Sequence, residues 1–201
     1  MGLILISLVG YLIGSIPFAF VIGKLFYHTD VREHGSGNLG GSNTGRVLGK
    51  KAGIAVMMLD LLKVTMVVCL AERFCTSSWA VACAGLSAGL GHCYPVFARF
   101  RGGKAVATMY GFLFGLWVYV GHSPLTFFLP LAAFLTVLFL FKIVSLSSMV
   151  SALVAVIYVC LGCRHLSVMA AIVAFAILVI LRHKRNIKRM LGGAETKIHW
   201  M

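Results

Sequence analysis

From Gly35 to Arg46 the chain reads Gly-Ser-Gly-Asn-Leu-Gly-Gly-Ser-Asn-Thr-Gly-Arg, a run of glycines, amides and hydroxyls closed by a guanidinium within an otherwise apolar sequence. Glycine lets a backbone turn tightly and approach a ligand closely, and successive N–H groups beside a cation make a cradle for an anion. Gly35 to Gly40 also spells the G-x-G-x-x-G dinucleotide pattern. That pattern needs an apolar strand before it, whereas His28-Thr29-Asp30-Val31-Arg32-Glu33-His34 precedes it here, so anion-binding physics survives without the dinucleotide fold. A flexible inner loop is the plain alternative, and it leaves Asn38, Asn43 and Arg46 unexplained.

A second polar stretch runs from Gly91-His92 through Pro95, Arg99 and Arg101 to Gly102-Gly103-Lys104. Its end has the letters of a P-loop, but that motif requires Gly at 98 and Ser or Thr at 105, and both positions are Ala. What remains is an ammonium beside two glycines at the start of a helix, with Thr108 one turn on, an arrangement suited to a phosphate. An ordinary cationic cluster explains Arg99 and Arg101 but not the double glycine. The third stretch is Arg182-His183-Lys184-Arg185-Asn186-Ile187-Lys188-Arg189, followed by Gly192, Gly193 and Glu195. On a continuing helix His183, Asn186 and Arg189 or Met190 share one face, while Lys184 and Lys188 read as a juxtamembrane stop. Asp60 and Lys63 form an i,i+3 pair inside an apolar run and read as helix packing and positioning. His122 and His165 read as interfacial. No carboxylate cluster or Cys/His cage appears, so no metal is expected, and the six cysteines read as small core or lipid-facing residues.

The elements that must position these stretches are membrane helices. Of the 201 residues 60% are apolar and 11% charged, against roughly 25% charged in soluble proteins. The pattern predicts an all-α polytopic membrane protein with about seven spans, near residues 2–26, 52–71, 78–97, 105–120, 125–141, 148–161 and 166–181. The sixth is too short for a perpendicular span at 1.5 Å per residue. Five spans with two interfacial or re-entrant pieces is the alternative. The first run lacks a basic leader and a cleavage site and is expected to be retained. One integral membrane unit over residues 1–201 is expected, without repeats or linkers.

The net charge of +13 would suggest nucleic acid in a soluble chain, but the cations flank apolar runs, which excludes that partner in favour of a bilayer. Placing the N-terminus outside leaves only Arg73 and Arg164 in outer loops and Lys63 within a span. Every other Lys and Arg then falls on the inner side, and the positive-inside rule selects that orientation, with a cytoplasmic C-terminus. All three polar stretches thereby reach the cytoplasmic face.

Over essentially the whole chain these stretches resemble the motifs of the bacterial acyl-phosphate–glycerol-3-phosphate acyltransferase family. The first is matched by Gly35-Ser36-Gly37-Asn38, Gly40, Ser42-Asn43 and Arg46, with Ser42 where Thr is usual. The second is matched by Gly91-His92, Pro95, Phe100, Gly102-Gly103-Lys104 and Val106-Ala107-Thr108, the third by His183, Asn186-Ile187, Arg189, Gly192 and Glu195. Asp60 with Lys63 and Lys142-Ile143-Val144-Ser145-Leu146 are further matches, Arg being commoner than Lys142.

The resemblance implies acyl transfer from acyl phosphate to the 1-hydroxyl of glycerol 3-phosphate in the bacterial cell membrane, giving lysophosphatidate and phosphate, with no cofactor. It implies Ser36, Arg46, Lys104, His183 and Asn186 as catalytic residues. Gly37, Asn38, Gly40, Ser42, Asn43, Gly102, Gly103, Ser145 and Glu195 would bind substrate. Within that set Ser36, Arg46 and Lys104 would hold phosphate, Asn43, His183 and Asn186 would orient glycerol 3-phosphate, and Glu195 would order the tail. Either His183 or the departing phosphate takes the hydroxyl proton, the second being favoured. Whether the soluble acyl-phosphate-forming enzyme docks on the basic inner face stays open. A transporter or channel for a small phosphate ester is the competing class, since it too needs a basic vestibule.

Overall fold

The computed structural model describes residues 2–163 and 165–198 and contains no strand among them. Arg164, counted above as an outer cation, lies outside the described residues. The chain opens with α1 (Gly2–Gly14) and α2 (Phe18–Tyr27), one apolar unit broken at Ser15-Ile16-Pro17, where proline has no N–H to continue the ladder. There follow α3 (Gly41–Leu48), α4 (Lys50–Phe74) and α5 (Ser78–Cys93) with a 3₁₀ turn at Val96–Ala98. The rest are α6 (Val106–Val120), α7 (Leu125–Phe141), α8 (Val144–Gly162), α9 (Leu166–Arg182) and α10 (Lys184–Leu191).

Among the described residues four units, Gly2–Tyr27, Lys50–Phe74, Ser78–Ala98 and Val144–Gly162, are long and apolar enough to cross a bilayer. The pair α9–α10, bent by 56°, adds a fifth when counted as one, and α6 and α7 are shorter apolar helices. The sixth expected segment is longer than its sequence limits suggested. It starts at Val144, because Ser147 and Ser148 return their hydroxyls to the carbonyls of Ile143 and Val144 and so tolerate a helix. Its 19 residues span about 28 Å, enough for a bilayer.

Helix α5 lies at the centre, packed on α1, α4 and α9. Small residues permit this: a β-carbon on Gly10 would fall 2.6 Å from the Ala84 carbonyl, so α1 and α5 touch backbone to backbone. Gly85 and Gly89 make room on the other side for Phe112 and Phe175, whose rings stack with centroids 5.3 Å apart. A second small core, around Ala19, Val31, Leu39, Val56 and Ala98, seats the first polar loop on α2 and α4.

Candidate active site

The glycine-rich stretch is half loop and half helix. Asp30 accepts from the Arg32 backbone at 3.0 Å and from its guanidinium at 2.6 Å, which holds the Asp30 carboxyl below its usual pKa and starts the turn. Gly35 and Gly37 then take φ of +61° and +68°, the left-handed region that glycine enters freely. From Gly41 the chain is helical, and α3 lies directly on α4 because Gly41, Gly45 and Gly53 carry no side chains between them. Asn43, 1% exposed, ties the two halves together. Its Oδ1 accepts from the Ser36 N–H at 2.7 Å, and its Nδ2 donates to the carbonyls of Val31 and His34. Asn43, expected to orient substrate, therefore spends its amide on shaping the loop.

The second stretch turns back on itself at Arg99, Phe100 and Ala105, three non-glycine residues with φ between 54° and 60°. The turn returns Gly103 to the end of α5, where its N–H donates to the His92 carbonyl at 2.9 Å. Arg182 clamps the same loop from α9: its Nε donates to the Gly103 carbonyl at 3.0 Å and its Nη2 to the Gly102 carbonyl at 3.1 Å. The expected continuous helix through His183 is corrected. The chain bends there by 56°, yet α10 still delivers Asn186 and Arg189 to one place, as their spacing required.

These segments close around a cavity of about 350 Å³, within the roughly 300–1,000 Å³ typical of small-molecule sites. Its polar end holds one connected network. Lys104 Nζ donates to Asn186 Oδ1 at 2.6 Å, and Asn186 Nδ2 donates to Glu195 Oε1 at 2.5 Å. Ser145 donates to the same carboxylate oxygen at 2.8 Å and Arg189 Nε to the other at 2.7 Å. Burial would raise the Glu195 pKa, but these donors outweigh it and keep the carboxylate below its usual range. The Ile198 N–H, donating to the Lys142 carbonyl, anchors the tail that carries Glu195.

Burial pushes the Lys104 pKa down to about 8, and the nearby charges of Arg189, Arg46 and Arg182 add to the effect against the pull of Glu195. His183, 2% exposed, is pushed down to about 4 by burial, with Lys104 adding to the shift and the Val179 carbonyl opposing it. That carbonyl lies 2.8 Å from Nδ1, so Nδ1 carries the proton of the neutral ring and Nε2 is left as an acceptor.

Ser36, Asn38, Gly40, Ser42, Asn43, Arg46, Lys104, Ser145, His183, Asn186 and Glu195 all line this cavity. Gly37 and Gly102 line instead an adjoining basin of about 990 Å³, which shares Ser36, Asn38, Lys104, Asn186 and Arg189 with the cavity. Gly103 lines neither and packs under the His92 ring. Sequence reasoning missed Arg182 as a loop clamp and read Asp60 as helix packing and positioning, whereas Asp60 and His92 both reach the cavity wall. It also missed the apolar end, formed by Met57, Met58, Leu61, Tyr110, Phe127, Leu131 and Phe134. Met57 and Met58 are 44% and 48% exposed, so this end of the cavity is not sealed by the fold.

The family model for glycerol-3-phosphate acyltransferase matches residues 4–193. The chain belongs to the glycerol-3-phosphate acyltransferase family. Proteins named glycerol-3-phosphate acyltransferase in Geobacillus kaustophilus and Listeria monocytogenes are each 47% identical to it. The first match covers 98% of this chain and 96% of the relative, the second 100% and 98%. Two crystal structures of PlsY (YgiH), an integral membrane glycerol 3-phosphate acyltransferase, superpose on it. The glycerol 3-phosphate form gives a TM-score of 0.91 at 35% identity, and the lysophosphatidic acid form 0.89 at 34%. Each match covers 99% of this chain and 96% of the other. Membership in this acyltransferase family agrees with a multi-pass helical membrane protein whose three polar stretches meet at one site.

Proposed function

We propose that this protein, as one integral membrane unit of seven spans, transfers an acyl group from acyl phosphate to the 1-hydroxyl of glycerol 3-phosphate. The products are lysophosphatidate and inorganic phosphate, the first step of bacterial phospholipid synthesis. One observation carries the reading: a single cavity has Arg46, Lys104 and Arg189 at one end and Met57, Met58, Leu61, Phe127, Leu131 and Phe134 at the other. Phosphate needs the first end and a fatty chain the second. The relatives named glycerol-3-phosphate acyltransferase and the two ligand forms of PlsY support the substrate and product.

In this reading Ser36, Arg46 and Lys104 hold phosphate, and Asn186 and His183 orient glycerol 3-phosphate. The hydroxyl oxygen attacks the acyl carbon, the bond from that carbon to the phosphate oxygen breaks, and phosphate departs with the electron pair. Acyl phosphate is already activated, so no covalent enzyme intermediate is required. A ring with a pKa of about 4 is a poor proton acceptor at neutral pH. His183 Nε2 therefore accepts a hydrogen bond that aims the hydroxyl, and the departing phosphate takes the proton. Catalysis is then positioning and charge stabilisation. The one-sided cations support a cytoplasmic site in the bacterial inner membrane, with the N-terminus outside and the C-terminus inside.

The purified protein in detergent, given palmitoyl phosphate and labelled glycerol 3-phosphate, should form lysophosphatidate and phosphate in equal amounts. No lysophosphatidate, together with glycerol 3-phosphate uptake into proteoliposomes, would replace this reading with a transporter.

A further inference from the structure

Beneath the Gly102–Lys104 loop lies a buried polar cluster that the reaction above does not use. Asp60 and Lys63 on α4 are 2% and 3% exposed and His92 on α5 is 6% exposed. Lys63 Nζ stands 2.7 Å from Asp60 Oδ1 and 3.2 Å from His92 Nδ1. It also donates to the Ile16 carbonyl at 2.9 Å, in the break between α1 and α2. His92 Nδ1 also stands 3.4 Å from Asp60 Oδ1, so this edge of the ring faces both members of the ion pair. The Nε2 edge faces Gly103 so closely that any β-carbon there would overlap the ring, and the Gly103 N–H is bonded to the His92 carbonyl. The imidazole is thus held by an ion pair on one edge and packs against Gly103 on the other, while the backbone carbonyl of the same residue bonds the loop.

Building on the acyltransferase reading, we infer that His92 is a positioning residue: the Asp60–Lys63 pair fixes its ring, and the ring fixes the Gly102–Lys104 loop so that Lys104 meets the substrate phosphate. Charges at this depth are costly, and an apolar trio would pack α4 against α5 without that cost. What apolar side chains cannot supply is a fixed ring direction. Arg182 works from the opposite side, holding the Gly102 and Gly103 carbonyls while the His92 backbone carbonyl holds the Gly103 N–H and its ring fills the space beside Gly103. The backbone that aims Lys104 is therefore braced on both sides, by α5 and by α9. This arrangement also accounts for the second glycine of the Gly-Gly-Lys run, which leaves space for the ring.

The test compares His92→Ala, His92→Asn and His92→Gln in the detergent-solubilised full chain. The amide of His92→Asn offers a polar group near the place of Nδ1, which the longer amide of His92→Gln does not. A misplacement of about 1 Å costs on the order of 100-fold in rate. We expect kcat/KM for glycerol 3-phosphate to fall by about that factor in the Ala and Gln variants, and by less than about tenfold in the Asn variant. All three should melt within a few degrees of one another. The alkaline fall of kcat/KM should also move to higher pH in His92→Ala, as a loosened loop lets water reach Lys104. The groups facing that lysine are Asn186, Arg189 and Glu195, with Arg182, His183 and Arg46 around them.

Equal losses in the Asn and Gln variants that follow their melting temperatures would reduce His92 to packing and overturn the inference. Full activity in folded His92→Ala would overturn it as well. If His92→Ala does not fold, the Asn and Gln variants decide between themselves. If the wild type forms no lysophosphatidate, the acyltransferase reading falls. The three variants would then be ranked by how far inorganic phosphate raises their melting temperature, with the same order expected, and no difference among them would overturn the inference.

Discussion

Lys104 gives the sharpest test of the site. Its ammonium touches Asn186 at 2.6 Å, and burial among Arg189, Arg46 and Arg182 brings its pKa from 10.5 to about 8. Only the cation can hold a phosphate, so kcat/KM should level off below pH 8 and fall above it. At pH 9 about one-tenth of the enzyme remains competent, since each unit above the pKa costs tenfold. Because kcat/KM reports the free enzyme, a phosphate that raises the pKa once bound does not hide the limb. Lys104→Arg keeps a cation at every accessible pH, so it should lose the limb while turning over more slowly. Lys104→Ala should lose about 10²–10³-fold, the usual consequence of deleting a group that stabilises developing charge. A limb near 10.5 in the wild type, or one surviving near 8 in Lys104→Arg, would refute the assignment.

The same shift predicts the opposite effect on stability. The folded pKa lies below the unfolded one, so folding is penalised by the cation at every pH below 8, and the penalty fades as pH rises from 8 to 10.5. Its size is on the order of 3 kcal/mol, reduced by the Asn186 hydrogen bond, worth ~1 kcal/mol. Lys104→Met should therefore melt higher than the wild type at pH 7 by the equivalent of about 2 kcal/mol, with the gain shrinking by pH 10. A less stable methionine variant at pH 7 would mean that the ammonium is not desolvated.

Other substitutions separate the remaining roles. His183→Ala should keep measurable turnover, roughly 10- to 100-fold down for a lost orienting contact, and the pH profile between 5 and 7 should keep its shape; an acid limb near 6.5 that vanishes in the variant would make His183 the base. Arg46→Ala should fall by about 10²–10³-fold, like Lys104→Ala, in the same lysophosphatidate assay. Glu195→Gln removes the charge that Arg189 pairs with, so KM for glycerol 3-phosphate should rise about tenfold as the tail loosens, a charge-assisted bond being worth about 1.5–3 kcal/mol. Gly53→Ala would place a β-carbon 2.7 Å from Gly45 Cα and 2.8 Å from the Gly41 carbonyl. It should cost about 1–3 kcal/mol as α3 is pushed off α4, read as a lower melting temperature with Arg46 function lost in parallel.

Which parts of this site were legible follows from what a membrane chain has no other reason to contain. Glycines and amides at 35–46 and the Gly-Gly-Lys run stand out because a span needs neither, and both reach the cavity region. The apolar end was invisible for the converse reason. Met57, Phe127 and Phe134 line the cavity, while Leu62 and Phe139 face outward, and all read alike in a sequence because lipid and a fatty-chain pocket select the same side chains. The outer limits of α8 were missed because serine reads as a helix end, although its hydroxyl can bond back to the carbonyl one turn earlier.

Adjacent residues show where residue type stops being informative. Arg182 and His183 sit side by side at the end of α9, and by type the arginine is an orienting cation and the histidine a catalytic base. The bend between α9 and α10 gives them other tasks. Arg182 turns onto the Gly102 and Gly103 carbonyls and its ring neighbour Tyr94, so its charge is spent on backbone that aims Lys104. His183 turns into the cavity with Nδ1 against the Val179 carbonyl, and burial removes the basicity its type suggested. Asn43 makes the same point from the first loop, since an amide is as good a staple for three stretches of backbone as it is a ligand for a sugar-like hydroxyl. Spacing along one chain could bring these residues together. Only the bend and the two braces on the Gly-Gly-Lys loop decide which of them faces the substrate and which holds the one that does.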